Sequence, residues 1–177
     1  MQRIAVMSDT HWNRWDPSDP YTAQLMKRLE GGFDAIWHAG DVVESSVLEA
    51  LEGYCRVVCV KGNCDSYLSR HLPHAVIESV ERVKVAMTHG WDLPLDHAPT
   101  VVGRFPEDVQ LIIHGHTHRH REQEFVRADG SRVTILNPGS VSSPRGGETA
   151  GMAELIIDGD YWEYHPCVFS EAANDDV

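Results

Sequence analysis

No stretch of this chain stays apolar for the roughly 18 residues that a membrane-spanning helix needs. A protein that crosses a membrane by a helix is excluded, and no membrane partner is expected. The opening MQRIAVMSDT joins an arginine to a short apolar run, but no small-residue cleavage site follows. It reads as a first strand, not a secretory signal. Cysteine is scarce: Cys55, Cys59, Cys64 and Cys167 form no C-x-x-C pair. They outline no disulfide framework, so reduced thiols and a cytoplasmic setting are expected. Positive charge is short as well. Fifteen lysines and arginines against 27 acidic residues leave a net charge of −12. That balance argues against strong, charge-driven binding to nucleic acid or anionic membrane. An anionic substrate would need a local source of attraction, and bound divalent cations supply one.

What is present fits a single domain, expected over residues 1–168, with 169–177 as an acidic, frayed tail. RIAVMSD (Arg3–Asp9), FDAIWHAGD and CRVVCVKGN each read as a short buried strand ending in polar residues. A helix is expected from about Thr22 to Glu30, stopped by Gly31 and Gly32. Ser46 and Glu49 form the pattern of a capping box for a second helix through Glu52. Ala75–Met87 reads as a hairpin, VQLIIHG as another buried strand. EFVRADGSRVTIL and AELIIDGDYWEYH read as hairpins turning at Asp129-Gly130 and near Gly159-Asp160. Strand–helix alternation followed by strands predicts a layered α/β sandwich with β-sheet at its centre.

Histidine is abundant where apolar residues run out. LIIHGHTHRH puts His114, His116, His118 and His120 two apart, so an extended chain would crowd them on one face, while a turn at Gly115 would fan them out. Either arrangement suits a metal better than a core. Asp9, His11, Asp41, Asn63, His89, His116 and His118 all fall at or just past the carboxyl end of an expected strand. In open α/β sheets that edge is where ligands bind. Imidazole with carboxylate suits Mn, Fe, Zn, Co or Ni rather than Mg or Ca.

The ordered segments Asp9-Thr10-His11, Gly40-Asp41, Gly62-Asn63, His89-Gly90 and Gly115-His116-Thr117-His118 carry a resemblance to the calcineurin-like metallophosphoesterases, in their small YfcE-like phosphodiesterase branch. Asn137-Pro138-Gly139-Ser140 is typical of that branch, and the likeness runs from about residue 3 to 165. It implies an α-β-β-α sandwich with two central mixed sheets and two divalent metals, manganese foremost, at the carboxyl ends of the strands. By the resemblance, Asp9, His11 and His118 hold one metal, Asn63, His89 and His116 the other, and Asp41 bridges both. A hydroxide between the metals is then the nucleophile, with Asp41, Asn63 and His116 counted as catalytic.

Two departures bear on the reaction. Cys64 stands where many members have a histidine that protonates the leaving group. A thiol is a poor substitute for imidazolium; the resemblance links cysteine at this place with phosphodiesterase activity on activated diesters, so small phosphodiesters are expected as substrates ahead of monoesters. Cys64 is read as packing or tuning the site rather than as a ligand. Trp12 replaces a usual glycine; with Trp15 it would either pack beneath the irregular loop NRWDPSDPY or wall the site for a nucleotide-like substrate. The alternatives are a phosphomonoesterase, a nuclease, or a metal-bound scaffold for protein partners, as some relatives are. No proposed ligand is missing, which favours the enzyme.

The remaining histidines are read blandly. His114 is taken as a strand-end residue or a ligand's partner, His120 as solvated, and His38 as a donor to a backbone carbonyl. His71, His74, His97 and His165 are taken as surface or satisfied residues. Asp65 either supports a ligand or stabilises its turn, and Asn137 shapes a turn under the site. No role is assigned to Arg119, Arg121 or Arg145. An exposed strand edge leaves a homo-oligomer open.

Overall fold

A computed structural model describes residues 1–68 and 71–170. The first sheet takes β1 (Gln2–Met7), β2 (Ala35–His38), β3 (Arg56–Cys59), β9 (Gly151–Asp158) and β10 (Tyr161–Val168), in the order β10-β9-β1-β2-β3. The second takes β4 (Ala75–Val80), β5 (Val83–Thr88), β6 (Leu111–Ile113), β7 (His120–Val126) and β8 (Arg132–Pro138), in the order β4-β5-β6-β8-β7. Each holds a parallel trio, β1-β2-β3 or β5-β6-β8, flanked by antiparallel hairpin strands.

Strand alternation builds the layers. Ile4 and Val6 of β1, Trp37 of β2 and Leu111 and Ile113 of β6 enter one shared core between the sheets. Their neighbours Ala5, Met7 and Ile36 face the other way, under α1 (Pro20–Leu29) and α2 (Ser45–Glu52). Ile112 likewise turns outward to meet α3 (Ala98–Gly103). The result is the α-β-β-α sandwich with two mixed sheets. Strands buried on both faces read as unbroken apolar runs, which is why AIWH and LII show no alternation.

Local corrections have physical causes. α1 starts at Pro20, because Asp19 caps it by accepting from the Tyr21 and Thr22 amides at 3.1 and 2.8 Å. The capping box does not form. α2 begins at Ser45 behind Glu44, so Ser46 lies inside the first turn with its hydroxyl buried and unpartnered. The turn before it is already tied down by the Asp65 carboxylate on Val43 N, which leaves Glu44 as the first residue free to enter the helix. α3 was not foreseen; six residues around Pro99 carry too little periodicity to signal a helix. The folded chain also runs past residue 168. Phe169 is buried against Tyr21, and Ser170 bonds Gln24. The rest of the expected tail, 171–177, lies outside the described residues.

Candidate metal centre

All six parallel strands end on the same rim. Asp9 and His11 follow β1, Asp41 follows β2 and Asn63 follows β3, while His89 follows β5 and His116 and His118 follow β6. The turns there are sharp. Asp9, His11, Asp41, His116 and His118 have φ of 53°, 48°, 58°, 67° and 58°, in the left-handed region. Among the described residues only Val43 and Glu81 are other non-glycine cases. Such a conformation costs of order 1–3 kcal/mol per residue and survives where surrounding structure imposes it. Here it turns five polar side chains inward at once.

Their donor atoms converge. His118 Nε2 lies 3.2 Å from Asp9 Oδ1 and 3.2 Å from His11 Nε2. His89 Nε2 lies 3.3 Å from Asp41 Oδ2, and His11 Nε2 3.5 Å from the same oxygen. The far nitrogens are anchored: His89 Nδ1 donates to Ala39 O at 2.7 Å and His118 Nδ1 to Ser143 O at 2.5 Å. That fixes the tautomer and points an Nε2 lone pair at the carboxylates. Acceptor then faces acceptor, an arrangement that a proton or a metal cation between them relieves. Asp9 Oδ1 and His89 Nε2 are moreover buried without a hydrogen-bond partner. Among the described residues, three groups have donor atoms within 4.8 Å of one another: Asp9, His11 and His118; Asp9, Asp41 and His89; His11, Asp41 and Cys64. The nitrogen and oxygen donors fit a divalent transition metal.

Charge tells the same story. Burial opposes charge on Asp9, but contacts with His11 and His118 prevail and hold its carboxyl below the usual range. Burial likewise opposes protonation of His89 and His118, yet Asp41 and Asp9 respectively outweigh it and raise both. The pocket favours positive charge.

Not every expected residue joins the tight groups. His116 stands apart from them, its Nδ1 3.1 Å from Asn63 Oδ1 and its ring edge-on to His89 at 5.2 Å. Cys64, set aside as a ligand, falls beside His11 and Asp41. Burial, followed by the Asp41 carboxylate, pushes its thiol up to about 11, so it is a poorer acid still.

Supporting residues explain the turns. Asp65 accepts from Asp41 N, Gly62 N and Val43 N at 3.0, 2.7 and 2.8 Å, joining the loops after β2 and β3. It is both of the things expected of it. Ser8 Oγ donates to Asp9 Oδ2 at 2.6 Å, and Ser140 Oγ to Asp9 O at 2.7 Å. Neither serine was singled out, although both sit inside quoted motifs. Buried Asn137 donates to Gly115 O and Thr117 Oγ1, each at 3.0 Å, and so floors the site. Gly115 has no room for a side chain: a Cβ would meet Ala39 O, Asp9 Oδ2 and Ser8 Oγ at 2.9 Å.

His38 accepts the Gly40 amide at 3.2 Å instead of donating to a carbonyl, because Gly40 must turn back over its ring. His120 is half-buried, not solvated; its ring packs under Gly139, and neither nitrogen has a partner. His114 is buried beside Gly115 O, and burial holds it down to about 4. Trp12 and Trp15 meet edge-on at 5.9 Å against the helix-side core, so they pack beneath their loop. His74 meets Trp91 at a tilt of 44°, His97 meets Thr100 and His165 meets Glu163, while His71 is exposed.

His38 gives a pH prediction. Burial lowers its folded pKa from 6.5 to about 4. The unfolded chain therefore binds the extra proton first, so stability is full above 6.5, falls as pH drops below it, and levels off near 4. Urea unfolding across that window should show the decline, with a shallower slope in His38→Gln. An unchanged slope in the variant would assign the loss to other groups.

A site of buried aspartates and histidines on the common rim of two mixed sheets fits a divalent metal centre. The profile of the calcineurin-like phosphoesterase superfamily domain matches residues 2–160, and the chain belongs to that family. It is 32% identical over 164 residues to a "probable metallophosphoesterase" of Methanothermobacter thermautotrophicus, covering 89% of this chain and 87% of that protein. To the phosphodiesterase YfcE of Escherichia coli K12 it is 27% identical over 179 residues, covering 89% of each. The fold matches wild-type Vps29 of Entamoeba histolytica, solved with Zn²⁺, at a TM-score of 0.72 and 18% identity, over 95% of this chain and 99% of that one.

Proposed function

We propose that this protein is a dinuclear metal-dependent phosphodiesterase acting on small phosphodiesters. The observation that carries it is the pair of buried, partnerless atoms Asp9 Oδ1 and His89 Nε2 within a ring of converging donors. Asp9, His11 and His118 would hold one cation, Asn63, His89 and His116 the other, with Asp41 common to both. When bound, such cations act as Lewis acids on a phosphoryl group and on water. The chain's own part is to place them. Ala39 O and Ser143 O orient two imidazoles, Asp65 locks the two acidic loops together, and the left-handed turns aim the donors inward. The carboxylates admit manganese, our first choice from the family likeness, and the imidazoles suit Fe, Ni or Zn as well.

Cys64 bears on the leaving group. Its raised thiol offers no proton near neutral pH, so substrates with good leaving groups that need no protonation are favoured. The choice of a diester over a monoester rests on the likeness to a phosphodiesterase. The test is hydrolysis of bis(p-nitrophenyl) phosphate beside p-nitrophenyl phosphate, after metal stripping and reloading with Mn²⁺. The diester is expected to turn over preferentially. Preference for the monoester would overturn the choice of diester, and inertness toward both with metals bound would favour a binding scaffold.

A further inference from the structure

Beside the centre, past His118, lies a cavity of about 540 Å³ walled by Arg119, Arg121, Arg145, His114, His120 and Asp96. We propose that this cavity takes a second phosphate of the substrate, on the arm of the ester that extends past His118 toward β7. The inference rests on the phosphodiesterase reading and narrows it to esters that carry a further phosphate.

Position is the first support. Thr117, between the two ligand histidines, lines the cavity. Arg145 N donates to His118 O at 3.2 Å, so the loop bearing that guanidinium is tied to a proposed ligand. A group bound here is a neighbour of whatever the centre holds.

Charge is the second. On a chain of net charge −12, three guanidinium groups share one cavity against a single carboxylate, Asp96. Among the described residues neither Arg119 nor Arg145 belongs to an ion pair. Arg121 is held in place through Leu95 O and Gln123 Oε1, and half-buried as it is, it has little freedom to swing into solvent. Asp96 beside Arg121 and Glu148 beside His120 N leave the guanidinium groups of Arg119 and Arg145 free to meet an anion.

The third is polar atoms without partners. His114 is 1% exposed, and its Nε2 is buried with no hydrogen-bond partner; both nitrogens of His120 are in the same state. Nδ1 of His114 is already engaged, by Gly115 O at 3.0 Å and by Asn137 Nδ2 at 3.2 Å, so Nε2 is the nitrogen left for a ligand. Three guanidinium forks offer more donors than a planar carboxylate accepts, whereas a tetrahedral phosphate dianion takes them from several directions.

The probes are thymidine 5′-(p-nitrophenyl phosphate) and the same ester with a 3′-phosphate. Mn²⁺-loaded wild type should hydrolyse the 3′-phosphorylated ester with kcat/KM about 10- to 100-fold higher, mostly through KM, as charge-assisted hydrogen bonds give. In Arg119→Gln/Arg145→Gln that ratio should fall close to one. Both side chains are exposed, so folding is not at stake. Calorimetric titration with thymidine 3′,5′-bisphosphate, on metal-free protein, gives a readout independent of turnover: binding in wild type, lost in the double variant. Equal kcat/KM for both esters, or a preference that survives in the variant, overturns the second-phosphate site and leaves the phosphodiesterase reading standing. If neither ester turns over with metals bound, that reading fails, and the titration alone decides the cavity, absence of bisphosphate binding overturning it.

Discussion

Asp41→Asn is expected to abolish Mn²⁺-dependent diester hydrolysis while leaving the metal-free fold almost unchanged. The substitution is nearly isosteric, and an amide oxygen can still accept from Cys64 N, which Asp41 Oδ1 does at 2.8 Å. What it removes is charge. In the metal-free protein that loss cuts both ways, because Asp41 supports His89 but is repelled by Asp9. With cations bound there is no such offset, since the shared anion between them is gone. Loss of a residue that merely orients a ligand costs roughly 10–100-fold in affinity or activity, and loss of the ligand itself exceeds that. Thermal unfolding with and without Mn²⁺ checks the idea. Wild type should gain stability on metal addition, by about 4 kcal/mol at a thousandfold excess over Kd, and the variant far less. Equal gains would remove Asp41 from the metal site.

Gly62→Ala is the second large effect, and it acts on the fold first. A Cβ at position 62 would lie 2.1 Å from Asp41 Oδ1 and 2.3 Å from Asp41 N. Neither atom can retreat: Cys64 N holds the oxygen, and Asp65 holds the Asp41 amide together with that of residue 62 itself. The two loops must separate, breaking several buried hydrogen bonds, and a cost of about 3 kcal/mol or more is expected. Gly103→Ala is the control, because a Cβ there meets nothing within 4 Å. Urea midpoints should fall sharply for the first and stay level for the second. A Gly62→Ala midpoint equal to wild type would mean the loops are not locked as described.

Much of this was legible in the sequence, for identifiable reasons. Buried parallel strands announce themselves as short apolar runs, and their polar ends mark the rim, so Asp9, Asp41 and His89 could be placed without coordinates. The hairpin turning at Asp129-Gly130 follows from turn chemistry, with Gly130 at φ 85°. What escaped was whatever depends on a distant partner. Ser46 looks like a cap, but its turn is governed by Asp65, nineteen positions on. His120 looks solvated, yet the turn at Gly139 lies against it. The arginines past His118 look ordinary one by one, and only folding gathers them around one cavity.

The order of strands also constrains how the protein can be made. β1 sits between β2 and β9, so one side of it has no partner until residues 151–158 have been synthesised and folded back. Asp9, at the tip of that strand, is steadied by Ser140 and faces His118, both from the later part of the chain. On the ribosome, the early strands therefore wait with an open edge, the condition under which nascent sheets mispair. Asp9 thus gains its last supports, the Ser140 hydroxyl and the pairing of its own strand with β9, only late in synthesis, and a chain cut short of β9 would hold that side chain less firmly.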